Sequence, residues 1–257
     1  DRPLHVQYGD WLWGLLRGEM GTGLFSGTAV TSEIGPRYPL TLELALLASI
    51  VSMIIAVPIG ILMAIKQDTA VDYGARIFTF SGISIPIFVV GIVTVYLLVR
   101  IFNWFPPLGY ASPWEDPWKN IQQMVFPVLT LAIFKVSLVA RVTRSAMLEV
   151  MREDYIRTAR SKGLREQKVI FIHALKNAFL PVITVFGWSF AVSLGGTIVI
   201  ERIYVVPGIG SLLIDRTLAR DYKLVQGIVL VFTLAVLTVN LLVDLVYAWV
   251  DPRIRYA

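Results

Sequence analysis

An all-α bundle of membrane-spanning helices is the fold this chain predicts, on three observations. The 257 residues are 56% hydrophobic and only 16% charged, with a mean hydropathy of +0.69, more apolar surface than a water-soluble domain of this size buries. Five apolar runs each supply the roughly 20 residues that ~30 Å of hydrocarbon requires at ~1.5 Å rise per residue. Between the third and fourth runs lies a basic, polar, helix-prone insert that ends DYIRTARSKGLREQKVIFIHALKNAFLPV, residues 154–182.

Composition also excludes. There is no cysteine, so no disulfide framework and no thiolate metal site, and the two histidines, His5 and His173, lie far apart. The net charge of +5 sits beside apolar runs rather than on a basic soluble module, so it sets membrane orientation and does not bind nucleic acid.

Residues 1–39 form a polar N-terminal segment. Within it Tyr8, Trp11, Leu12, Leu15 and Leu16 recur at helical spacing with Asp10 and Arg17 off that face, which predicts a helix lying at the membrane interface, where Trp11 and Trp13 suit the headgroup zone. The glycine-rich residues 18–27, GEMGTGLFSG, resemble a phosphate loop but lack its GK[ST] ending, and read as a turn.

The spans fall at about 40–65, 77–101, 121–147, 177–200 and 224–250, in a transmembrane domain covering residues 40–257. Four contain long stretches free of Asp, Glu, Lys and Arg; the run 121–147 is interrupted by Lys135, Arg141 and Arg144. Lys135 lies about 20 Å along that helix, so it must snorkel, face a polar cavity or pair with another subunit. Small and hydroxyl residues cluster in the second span (Thr79, Ser81, Gly82, Ser84, Pro86) and the fourth (Gly187, Ser189, Ser193, Gly195, Gly196, Thr197). Close helix packing explains them, and so does a path for a polar solute, of which Ser84, Ser189, Ser193 and Thr197 are the candidate residues. Asn240 and Asp244 share a face of the last span, where Asp244 could meet Arg253 or Arg255; Glu43 sits at the end of the first.

Five crossings put the two termini on opposite sides. With the C-terminus cytoplasmic, the inner segments hold thirteen Lys and Arg against nine in longer outer segments, so the positive-inside rule places residues 1–39 outside. Export of that segment, in a chain starting at Asp1, calls for a further transmembrane helix upstream, giving six. The outer loop 102–120 carries Pro106, Pro107, Pro113 and Pro117 beside Trp104, Trp114 and Trp118, which precludes regular structure and anchors the loop at the interface. In the last outer loop the turn Pro207-Gly208-Ile209-Gly210 precedes SLLIDRTLAR, a short helix that could fold back on the bundle.

The inner loop 148–176 is the most informative segment. Met147, Met151, Tyr155 and Ala159 form an i, i+4 row, with Arg152, Arg157 and Arg160 pointing elsewhere and Gly163 ending the segment. A row that dwindles to Ala159 and Gly163 would let another protein's groove approach the backbone, with basic residues steering an acidic partner. A solvated positive-inside loop accounts for the charge equally well. A second amphipathic stretch, 168–175, leads into the next span.

The permease subunits of ABC importers carry a loop written EAA, three residues, Gly, nine residues, Ile-x-Leu-Pro. Aligned on Gly163, this chain keeps only Ala159, Gly163 and Leu175 of that pattern, with His173 for Ile and Lys176 for Pro. The peptide-permease branch has its own version, close to DYIRTARAKGL, HALRNA and LPV, and the present DYIRTARSKGL, HALKNA and LPV resemble it almost letter for letter. TRSAMLEV (143–150), VPGIGSLLIDRTLARDYKLVQG (206–227), NLLVDLVYAWVDPRIRY (240–256) and YPLTLELA (38–45) carry the resemblance across nearly the whole chain.

The resemblance implies the type I importer permease fold with six helices, the first preceding the exported segment, in a bacterial or archaeal inner membrane. It also implies a heterodimer with a second homologous permease subunit, two cytoplasmic ATPases that hold the ATP and Mg, and an extracytoplasmic solute-binding protein. The chain itself would bind no cofactor and be no enzyme. Asp154, Tyr155, Ile156, Arg157, Thr158, Ala159, Lys162, Gly163 and Leu164 would form the coupling helix seated on one ATPase. Relatives in this family carry dipeptides, longer peptides, glutathione or nickel, with specificity resting largely in the binding protein. Two other classes fit less well: a secondary transporter would need an inverted repeat and buried acidic pairs, and a membrane hydrolase would need a histidine within a span.

Overall fold

A computed structural model describes residues 2–25, 27–107 and 109–250, with side chains to residue 245, and among them regular structure is helical apart from one isolated bridge, Thr22 to Ala29. Helix α1 (Leu4–Leu16) buries none of its side chains and leaves Leu4, Tyr8, Trp13 and Leu16 exposed, as a helix resting on a bilayer surface would. The glycine-rich stretch after it turns back on itself, Gly23 N–H donating to the Thr28 carbonyl at 2.9 Å, and is tied to the distant Asp221 through Leu24 N–H at 3.1 Å. Helix α2 (Val30–Ile34) then buries Val30 and Ile34, and its Glu33 pairs with Arg37 and Arg216.

Helix α3 (Tyr38–Ile65) is the first span. Its buried Ala48, Ser52, Ala56 and Gly60 recur every fourth residue, the small-residue row that lets two helices approach closely in lipid, where apolar burial between helices gives little driving force. The expected second span, 77–101, is not one helix. It is α4 (Ala70–Ser84) and α5 (Ile87–Phe102), meeting at 101°. Pro86 causes the break: it has no N–H to donate and pushes the preceding residue out of the helical region, and Ile85 sits at φ −87°, ψ 122°.

The described residues of the loop that follows α5 hold no regular structure, but the next helix organises them. Helix α6 (Pro117–Val150) is capped by Asp116, which accepts from Lys119 N–H at 3.0 Å. From its first turns Gln123 accepts from Ala111 N–H at 2.9 Å and donates to the Pro107 and Gly109 carbonyls, while Asn120 donates to the Ala111 carbonyl at 2.9 Å. Tyr110 donates to Glu43 on α3 at 2.7 Å, and burial together with that carboxylate pushes its hydroxyl well above the usual tyrosine range. Trp114 and Trp118 stay exposed.

Helix α6 runs through the centre of the bundle, packed along α3 on one side and α9 on the other. It ends at Val150, and a short turn separates it from α7 (Asp154–Ser161), so the expected row Met147, Met151, Tyr155, Ala159 does not lie on one helix. Helix α8 (Glu166–Lys168), a π-helical turn (Val169–Ala174) and α9 (Leu175–Ile203) follow without interruption. The helix that carries the fourth span therefore begins at Glu166, and the second amphipathic stretch, 168–175, is continuous with it. Helix α10 (Ile209–Leu218) folds back, burying Ile209, Gly210 and Leu212 with Val30, Ile34, Leu224 and Ile228. Helix α11 (Tyr222–Val250) closes the described chain. Asn240 and Asp244 are exposed on it, and the pairing of Asp244 with Arg253 or Arg255 lies outside the described residues. Among the described residues four helices are long and apolar enough to cross a membrane, and there are five if the bent pair α4 and α5 counts as one broken span.

Candidate functional site

Helix α7 owes its position to two residues on its inner face. Ile156 is fully buried and Ala159 nearly so, in a cluster that also takes Ile61 and Ala64 from α3, Ala146 and Met147 from α6, Val169 and Ile170 from the π-turn, and Ala174 and Ala178. The ends of three spans and α7 thus share one core. The expectation that Ala159 offers its small side chain to a partner is corrected here: that side chain faces inward, because the turn at 151–153 rotates α7 away from the register of α6.

The outer face carries Asp154, Arg157, Thr158 and Lys162, all exposed. Arg157 and Asp154 stand 3.6 Å apart and are both freely solvated, so they contribute little to stability. Tyr155 remains half-exposed, its hydroxyl accepting from Asn177 at 2.7 Å, and Arg160 pairs with Glu166 at 2.7 Å. Gly163 ends the helix at φ 74°; its N–H donates to the Arg160 carbonyl at 2.9 Å and Leu164 N–H to Ala159 at 3.4 Å. That paired pattern is the Schellman cap, which requires the left-handed conformation glycine adopts without strain. Leu164 is exposed beyond it. Of the residues expected here, seven therefore lie on the surface, while Ile156 and Ala159 anchor the helix from beneath.

The candidate path residues divide. Ser189 and Ser193 line one cavity of about 270 Å³ with Lys135, Gly196 and the α4–α5 break at Ile85 and Pro86. Thr197 is buried away from it, donating to the Leu194 carbonyl, and Ser84 is exposed on α4, donating to the Phe80 carbonyl.

Two carboxylates, Asp72 and Glu201, are buried within the bundle. Asp72 in the first turn of α4 accepts a two-pronged pair of hydrogen bonds from Arg144 of α6, each 2.9 Å, and further bonds from Arg76 and from Asp68 N–H. The i, i+4 spacing of Asp72 and Arg76 is the one local signal of this cluster in the sequence. Glu201 is fully buried at the other end of α9, accepting from Thr41 Oγ1 at 2.7 Å and Ser211 N–H at 2.9 Å, while Thr41 accepts in turn from Ile209 N–H. Glu201 directly follows the uncharged run that ends at Ile200, where its position in the sequence resembles that of a solvated flank. Among the described residues no group of His, Asp and Glu side chains could hold a metal.

Residues 56–256 match the family described as binding-protein-dependent transport system inner membrane component. The chain belongs to that family. Among its relatives in this inner membrane component family, the oligopeptide transport system permease protein AppB of Bacillus subtilis is 38% identical, over 99% of this chain and 81% of that protein. The dipeptide transport system permease protein DppB of Escherichia coli K12 is also 38% identical, over 100% and 82%. An inward-facing structure of the MetNI methionine ABC transporter superposes with a TM-score of 0.68 at 14% identity, over 82% of this chain and 93% of that one, which shows the ABC importer permease fold. The inner membrane component described here is thus a multi-pass permease of an ABC transporter, a transport subunit in a family whose members work with ATPase and solute-binding partners.

Proposed function

We propose that this chain is one of two homologous pore-forming subunits of an ATP-driven importer for peptides, with α7 as the coupling helix that receives one ATPase. The observation that carries the coupling role is the shared core beneath α7. Its outer face is polar and exposed, while its inner face is packed among the ends of α3, α6 and α9. A partner that moves α7 moves those three helices with it, because a close-packed cluster transmits displacement rather than absorbing it. Alternating access then follows from a difference in how tightly the ATPase pair holds α7 in its two states. Peptide as the solute rests on the oligopeptide and dipeptide permeases that share 38% of their aligned residues with this chain.

The chain has no cysteine, so a single introduced thiol reports without background. In proteoliposomes holding the whole complex, Arg157→Cys should crosslink to an ATPase subunit, and Arg157→Glu should lower ATP-dependent peptide uptake by up to about fivefold at low salt, on the scale of the ~0.2–1 kcal/mol of an exposed charge pair, and by less when salt screens it. Peptide uptake by liposomes without the ATPases would overturn the reading.

A further inference from the structure

The seam between α4 and α6 carries one more positive charge than its acids neutralise. Arg141 lies on α6 at the level of Gly60 on α3, where an added Cβ would stand 2.7 Å from the Ala140 carbonyl and 2.5 Å from Thr143. Gly60 is five residues from the end of α3 at Ile65, so Arg141 sits about 7.5 Å inside that helix end. Its guanidinium carbon stands 5.4 Å from the centroid of the Phe80 ring on α4, and its Nε–H is buried without an acceptor. None of the ion pairs among the described residues includes it. Its charged neighbours balance one another: Arg76 and Arg144 share Asp72, and Arg76 also takes Asp68. The next acid along α6, Glu149, is exposed and about 12 Å further toward the helix end. An arginine held within a span and lacking a counterion is costly, and such residues mark functional sites.

The surroundings of Arg141 point to the occupant. Arg141 is part-exposed, at the surface of a bundle that lies in a bilayer. Beside it Tyr73, Ile77 and Phe80, at i, i+4 and i+7 on one face of α4, are 53%, 68% and 56% exposed. Ser145, one turn from Arg141 on the same face of α6, is exposed and offers a hydroxyl. A guanidinium without a counterion just inside the helix ends, next to an exposed apolar strip, fits a phospholipid: the phosphate on the fork of N–H donors, an acyl chain along the strip. A zwitterionic headgroup would bring its own ammonium into a seam already in positive excess, so the fit favours an anionic headgroup.

We infer that the seam at Arg141 and Phe80 binds the phosphate of an anionic phospholipid. Only the leaflet, the inner one, rests on the coupling role proposed above for α7. The test is native mass spectrometry of the complete transporter in detergent, titrated with dioleoylphosphatidylglycerol or with dioleoylphosphatidylcholine. The anionic lipid should be retained about fivefold more tightly, the scale of one arginine's attraction to an anionic lipid. Arg141→Gln should abolish the preference and Arg141→Lys should keep it. Should Arg141→Gln not assemble, the unaltered complex carries the test: phosphatidylglycerol with a photoactivatable headgroup should label the peptides that hold Phe80 and Arg141, and the phosphatidylcholine equivalent should not. Equal retention of the two lipids, a preference that survives Arg141→Gln, or labelling confined to other segments overturns the site. Loss of the second permease subunit from Arg141→Gln, with the lipid preference intact, would also overturn it and place a carboxylate of that subunit on Arg141. Neither measurement uses ATP turnover or solute, so a failure of the coupling or peptide reading leaves this result standing.

Discussion

Gly208 shows what an absent side chain does for a buried carboxylate. A Cβ there would lie 2.3 Å from the Glu201 carboxyl group, so the chain closes over Glu201 only because nothing projects from that position. Gly208→Ala is expected to destabilise the protein by ~1–3 kcal/mol through overpacking, read as a lower Tm in detergent; an unchanged Tm would mean the turn is not pressed onto Glu201. Glu201→Ala should cost at least as much, since the Thr41 hydroxyl and Ser211 N–H lose their buried acceptor. In α7 and its cap the order reverses. Gly163 has open space around it and needs only its left-handed backbone, so Gly163→Ala should cost about 1 kcal/mol. Ala159→Trp must push into a filled core, and it should lower Tm and yield before any effect on ATPase docking is seen. A normal Tm for Ala159→Trp, with docking lost, would put Ala159 back on the surface.

Between elements, the contact that matters most lies at the start of α4. Apart from Pro86, little in the sequence of α4 and α5 restrains their angle, and Asp72 holds the first turn of α4 onto α6 through both oxygens of its carboxylate and the Arg144 guanidinium. Asp72→Asn keeps the shape but removes the charge, leaving Arg144 and Arg76 with a weaker acceptor. A loss of ~1–3 kcal/mol is expected, the scale of hydrogen bonds to a charged group, because both guanidinium groups keep some solvent. Arg144→Gln in the same background should cost less than it does alone, and a double-mutant cycle on detergent Tm values measures that coupling. Strictly additive losses would show that the two side chains do not hold α4 and α6 together.

At the scale of the whole molecule, what the sequence disclosed and what it concealed follow from range. Hydropathy placed α3, α6, α9 and α11, because length and lipid exposure are properties of a single segment. The interior of the bundle is a matter of pairs distant in sequence, such as Asp72 with Arg144 or Thr41 with Glu201, and no local pattern marks them. The bend after Ser84 is hard to see in sequence for a different cause: a proline in a membrane helix is common enough that Pro86 does not announce a 101° turn. Pro58, Pro127 and Pro181 lie inside continuous helices of the same chain. That bend has a consequence for motion. The cavity with Lys135 opens against it, so α4 must separate from α6 if solute is to pass on that side. A Cβ placed on Gly82 would lie 3.3 Å from the Cβ of Ser137, just under the ~3.5–4.5 Å that a disulfide spans. In this cysteine-free chain Gly82→Cys with Ser137→Cys should therefore oxidise readily, stop ATP-dependent uptake in the assembled complex, and regain it on reduction. A fully formed bridge with uptake undiminished would show that α4 and α6 move as one body and that the route runs elsewhere; failure of the bridge to form would refute their close approach at Gly82.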